Sequence, residues 1–205
     1  TYIITHFWEI PPDKWRWGIC SLFLSALIPI ITAPYLTKRL DKKRAAMSIY
    51  GFQICFAALP YFLRLSGWFP ENSSEWVYPL IWAHALINVA VIVMFGIVQS
   101  SMLADIVEHS QETTGRREEG LFFASRSFAQ KATSGIGAFI AGIALDIISF
   151  PKGAEMGTID PNIVWDLGFI YGPVLTLFYF LALGSISFYQ ITRSGHDGRV
   201  ERLRQ

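Results

Sequence analysis

Charge is what this 205-residue sequence has least of: Asp, Glu, Lys and Arg make up 16% of it and apolar or aromatic residues 52%. A soluble globular domain carries roughly 25% charged residues, so the balance argues against a water-soluble protein. Neither sign of charge dominates, because 17 basic residues face 16 acidic ones for a net charge of +1. The basic footprint of a nucleic-acid binder and the block of an acidic tail are both missing. Cysteine is nearly absent: Cys20 and Cys55 each lie inside an apolar run, which offers neither a disulfide framework nor metal-ligand spacing. The opening stretch TYIITHFWEIPPDKWR lacks the order of basic start, apolar core and small-residue cleavage site that marks a secretory leader. Membrane entry is therefore expected from internal segments.

Uninterrupted apolar chain is present in quantity. The stretches 17–36, 45–63, 76–104 and 167–192 contain no Asp, Glu, Lys or Arg, and each approaches or exceeds the roughly 20 residues with which an α-helix crosses a hydrocarbon core of about 30 Å. A fifth run, 121–150, is as long but holds Arg126, Lys131 and Asp146, each costly in hydrocarbon unless it faces protein, water or headgroups. A soluble helical core would need amphipathic helices with polar outer faces, and 76–104 has none. The expected fold class is thus an all-α integral membrane protein with five spans and the end of a preceding one.

Orientation follows from basic residues, which are retained on the cytoplasmic side. Segment 37–44 (TKRLDKKR) holds five Lys or Arg, segment 105–120 two and the tail 193–205 four, whereas the alternate segments hold only Lys14, Arg16, Arg64 and Lys152. The tail is expected in the cytoplasm and Thr1 outside. The aromatic-rich start TYIITHFWEI then reads as the end of an earlier helix, and 1–205 as the carboxy-terminal part of something larger.

The residues that could carry chemistry sit on these spans. Lys131 lies about 15 Å beyond Leu121, near the middle of the core, whereas Arg126 is only about 8 Å in and is expected to snorkel to the cytoplasmic surface. Gly135, Ala138, Gly142 and Asp146 follow Lys131 on one helical stripe, with small residues that let another helix or a water-filled cavity approach the ammonium. Asp146 is about 22 Å away along the axis and cannot be its partner. Lys131, with Ser127, Gln130 and Ser134 beside it, is the candidate substrate-binding or coupling group. His84 and Asn88, one turn apart on the third span, join it as candidates; such residues either line a polar cavity or hold helices together. In 105–120 (DIVEHSQETTGRREEG), expected as a loop, Asp105 and Glu108 with Arg116 and Arg117 are the candidate cytoplasmic gate, formed of ion pairs that strengthen where water is partly excluded. An enzyme would need a convergent nucleophile and base or a metal set, and none is found.

With those residues in view, the stretch SSMLADIVEHSQETTGRREEGLFFASRSFAQKATSGIGAFIAG resembles the loop and eleventh helix of the glycoside–pentoside–hexuronide:cation symporters, the melibiose-permease-like branch of the major facilitator superfamily. The resemblance rests on Ala104-Asp105 and the acidic loop, on Thr114-Gly115-Arg116-Arg117 and Glu119-Gly120, and on Phe128, Gln130 and Lys131. A second likeness is 34–44 (PYLTKRLDKKR), similar to the superfamily's basic loop after helix eight, with Lys38 and Asp41 where an acid and a glycine are commoner. The resemblance implies the carboxy-terminal half of a twelve-helix transporter in the plasma (inner) membrane. It would move a sugar or related solute with Na⁺ or H⁺ by alternating access, with Lys131 near the solute and cation sites. It implies no cofactor beyond the coupling ion, whose main carboxylates would lie in the amino-terminal half, and it makes that half, the solute and membrane lipid the partners, with no nucleic acid. A lipid-like substrate, or a scaffold that transports nothing, are the alternatives; a scaffold would gain nothing from the desolvation cost of a lysine at mid-membrane.

Overall fold

The structure is a computed structural model that describes residues 2–39, 41–116, 118–186 and 188, apart from the side chains of 15–17, 20, 21, 24 and 36–39. It is helical, with no strand among the described residues. A π turn, Ile3–Phe7, precedes α1 (Pro12–Ser25), α2 (Leu27–Arg39), α3 (Lys42–Leu65), α4 (Val77–Thr114), α5 (Glu119–Ile147), α6 (Pro161–Phe169), a second π turn (Ile170–Val174) and α7 (Leu175–Ile186). Among the described residues four helical segments are long and apolar enough to cross a membrane: Lys42–Leu65, Val77–Thr114, Glu119–Ile147 and Pro161–Ile186.

The first expected span, 17–36, is two helices. Pro29 has no N–H to offer the carbonyl of Ser25 and its ring crowds that same carbonyl, so the helix breaks at Ala26. The Ser25 hydroxyl donates to Leu22 O at 2.7 Å and Thr32 to Ile28 O at 3.0 Å, each back-bonding to its own helix. The expected loop 105–120 is largely helix as well. Between Gly96 and Gly115 the sequence holds neither Gly nor Pro, and α4 continues through Asp105 and Glu108 to Thr114. It stops where Gly115 takes the left-handed conformation (φ 70°), its N–H bonding Gln111 O at 2.9 Å, a glycine stop that a side chain would resist. At 38 residues α4 is about 57 Å long, nearly twice the hydrocarbon thickness of roughly 30 Å, so its last turns stand outside the core. The final span starts earlier than expected, at Pro161: Asp160 Oδ1 accepts from Asn162 N at 2.8 Å with Pro161 in the first helical position, where a missing N–H costs nothing. Pro173, in the π turn, interrupts the helix without ending it. The tail 193–205 lies outside the described residues.

Packing centres on α4, which lies most extensively against α3 and also against α1 and α2, while α7 packs on α3. Two apolar cores hold the bundle. In one, Ala45, Ala46 and Ile49 of α3 close on Val98 and Met102 of α4, the alanines allowing close helix approach. In the other, Phe7, Trp8 and Leu167 meet Val77 and Ile81. The Arg64 guanidinium lies 4.3 Å from the Phe7 ring centroid and 5.1 Å from that of Trp8 and donates to Asn72 Oδ1, while Asn72 Nδ2 donates to Phe7 O at 3.3 Å. The opening segment is thereby clamped to the ends of α3 and α6. Gly168 is the seat of that clamp, since a Cβ there would fall 2.2 Å from Phe7 Cε2. Gly168→Ala is expected to destabilise the fold by about 1–3 kcal/mol, the usual scale of overpacking. The folded fraction surviving heating in mild detergent checks this, and survival equal to wild type would show that Phe7 moves aside freely.

Candidate functional site

The helix α5 carries most of the expected solute contacts. At 100° per residue Ser127, Gln130, Lys131 and Ser134 fall within an arc of about 100°, and all four are exposed. Ser134 satisfies itself by donating to Gln130 O at 2.9 Å, which leaves the Ser127 hydroxyl, the Gln130 amide and the Lys131 ammonium as the groups on this face that can reach outward. No residue of α5 is buried by the described chain, and its main described neighbour is α4. Lys131 stands 12 residues from the start of α5 at Glu119, about 18 Å, near the middle of that 29-residue helix.

His84 and Asn88 are half-buried on α4 and turn to other work. His84 Nε2 lies 2.9 Å from Phe56 O on α3; because a carbonyl only accepts, Nε2 must carry the hydrogen. The imidazole also stacks on the Phe56 ring, centroids 4.7 Å apart, so His84 fastens α4 to α3. Asn88 Oδ1 is shielded from solvent with no hydrogen-bond partner among the described residues, an acceptor left open beside that contact.

The expected cytoplasmic cluster is organised around a residue that sequence reasoning did not single out. Asp105 binds Lys42 through both oxygens, at 2.7 and 2.9 Å from Nζ, with 11% of the Asp105 side chain and 33% of the Lys42 side chain exposed. The pair ties the first turn of α3 to α4 just past the charge-free run 76–104. Glu108 lies one turn further along α4 and is exposed, as is Arg116, while Arg117 lies outside the described residues. The separation of 63 positions between Lys42 and Asp105 hides the pair from any local spacing rule; the one available signal is that each is a charge near the end of an apolar run.

Arg126 departs from expectation. Instead of reaching to the aqueous surface it turns to α4, Nη1 donating to Ser100 Oγ at 2.9 Å and Nη2 to Gln99 Oε1 at 3.2 Å. Two neutral acceptors from one helix hold it at the edge of a cavity of about 240 Å³ whose other walls include Ala46, Phe95, Met102, Ile106 and Ile186. Among the described residues no group of His, Cys, Asp and Glu is placed to hold a metal ion.

Broken and over-long helices, four of the described helical segments long and apolar enough to cross a membrane, and a lysine midway along a helix that the described chain does not bury describe an integral membrane chain. Residues 1–193 match the family described as MFS/sugar transport protein, and the chain belongs to that family. It is similar to an uncharacterized symporter of Synechocystis, 26% identical over 151 residues that make up 70% of this chain and 28% of that protein. It is also similar to the uncharacterized symporter YjmB of Bacillus subtilis, 24% identical over 188 residues, 88% of this chain and 37% of that protein. The chain thus spans roughly a third of the length of the curated relatives it matches. No solved structure matches it.

Proposed function

We propose that this chain is the carboxy-terminal half of a secondary transporter that moves a sugar or related solute together with Na⁺ or H⁺ by alternating access. The observation that carries the reading is Lys131: an ammonium at mid-membrane depth, on a polar face of α5 that the described chain does not cover. A charge there is costly in lipid, which favours a water-filled cavity shared with the rest of the transporter. Lys131 and Gln130 then meet the solute or a carboxylate from the other half, Ser127 and Ser134 shape the same face, and Asn88 offers an acceptor from α4. Asp105, Glu108, Arg116 and Arg117 form the cytoplasmic gate, with Lys42 as the observed partner of Asp105. The chief carboxylates for the coupling ion belong to the other half. In this reading 37–44 and 193–205 face the cytoplasm, so an impermeant thiol reagent added outside intact cells reacts with a cysteine placed at Ser74 and not with one at Ser194; reaction at both would overturn the topology.

The full-length protein in proteoliposomes tests the transport reading. An inward Na⁺ or H⁺ gradient is expected to raise uptake of a labelled sugar severalfold, and an ionophore that collapses the gradient to remove the increase. Uptake indifferent to both gradients across a panel of sugars and related solutes would leave the chain a scaffold.

A further inference from the structure

The cavity beside Arg126 is unlike the polar face around Lys131. Its walls come from α3, α4 and α7 as well as α5, and Phe95, Met102, Ile106 and Ile186 make them chiefly apolar. Arg126 is the one ionised residue among the described residues of its lining, and both of its hydrogen bonds go to neutral acceptors. The carboxylate nearest in sequence along α4, Asp105, is committed to Lys42. A guanidinium has five donors, so two bonds leave it with capacity for an anion. A cation at membrane depth without a counter-charge is costly, and an anion arriving with its own apolar body would relieve that cost while filling the groove.

We propose that this groove holds one anionic phospholipid of the cytoplasmic leaflet, its phosphate on Arg126 and an acyl chain along Phe95, Met102 and Ile186. Three features favour lipid over a free anion or a protein segment. The groove has the polarity of a phospholipid, with one cation and the Gln99 amide it bonds at one edge and apolar side chains along the rest of its described lining. Ala46 in its lining stands one turn from Lys42 on α3, the sequence 37–44 holds five basic residues, and such residues draw anionic lipid by about 1 kcal/mol each near the surface. The wall helix α7 buries none of its own residues and exposes Leu177, Phe178 and Leu181, the surface of a helix that meets lipid. This inference stands apart from the transport reading, since it concerns retention of a lipid and not movement of a solute.

Native mass spectrometry of the full-length protein, released from nanodiscs of phosphatidylcholine containing phosphatidylglycerol, tests it. Wild type is expected to retain one phosphatidylglycerol selectively. Arg126→Gln is expected to weaken that retention about tenfold, the scale of losing a charge-assisted contact. Ile106→Trp, which fills the groove and leaves the guanidinium in place, is expected to do the same, and it carries the test should Arg126→Gln fail to fold. Retention unchanged in either folded variant would overturn the proposal. So would equal retention of phosphatidylcholine, or a photoreactive group at Leu103 that cross-links to the protein's own amino-terminal half instead of to lipid.

Discussion

Lys131→Met in the full-length protein is expected to abolish cation-stimulated uptake while leaving membrane insertion and folding intact. Methionine keeps the length and apolar stem of lysine and removes the charge. Because Lys131 is exposed and no residue of α5 is buried, the substitution disturbs no buried contact among the described residues. A contact between an ammonium and a polar or anionic group contributes about 1.5–3 kcal/mol, so its loss alone slows uptake by a factor of about ten to a hundred. Coupling makes the effect larger. A cation or proton competing for a carboxylate that faces Lys131 would alter what Lys131 does to the solute. Without the amine that link is gone. Lys131→Arg is expected to rescue poorly, because a planar fork of donors does not replace a compact ammonium. Coupled uptake by Lys131→Met at the wild-type rate would reduce Lys131 to a structural residue.

The second large effect is expected at Lys42 and Asp105. Removing one member of a well-buried ion pair leaves the other charge without compensation, which costs about 3–5 kcal/mol when both are fully buried. Lys42 remains one-third exposed, so water offsets part of the loss, and about 1–3 kcal/mol is expected for Lys42→Met or Asp105→Asn. The pair joins the start of α3 to the part of α4 beyond its apolar run. If it exists only while that side is closed, losing it shifts the balance toward inward-open, and each 1.4 kcal/mol is a tenfold change in population. The rate at which a cavity cysteine reacts from the cytoplasmic side should rise in either single variant and fall back toward wild type when the charges are exchanged, Lys42→Asp with Asp105→Lys. Singles whose effects simply add, with no recovery in the exchange, would show that the two residues act independently.

Much of this architecture is legible in long apolar runs, because hydrocarbon tolerates few alternatives to helix. The runs 45–63 and 121–150 lie where α3 and α5 form, with ends displaced by a few residues. Charge is a poor guide to where a helix stops, however. Asp105 and Asp166 mark the end of apolar chain and not of helix, so α4 continues until Gly115 permits a left-handed turn, and the last span begins at its Asp160 cap with Asp166 inside it. Prolines act through a carbonyl four residues earlier, which is why Pro29 divides the first span while Pro34 and Pro60 remain inside helices. The candidate site divides along the same line. Helical periodicity places Ser127, Gln130, Lys131 and Ser134 on one face, since neighbours in one helix follow from spacing alone. It cannot foresee that His84 bonds the backbone of α3, that Asp105 meets Lys42, or that Arg126 turns inward to Ser100 and Gln99. Those contacts join residues far apart in the chain and depend on how the helices pack.

The central claim, that Lys131 faces a water-filled cavity in the intact transporter, is most directly tested by accessibility at that position. A single cysteine replacing Lys131, in a full-length protein whose Cys20 and Cys55 are changed to serine, is to be exposed to a hydrophilic, membrane-impermeant thiol reagent with and without solute. The account predicts reaction with the reagent and slower reaction when solute is present. Reaction only with a lipid-soluble maleimide, unaffected by any solute, would place residue 131 against lipid or protein and contradict it.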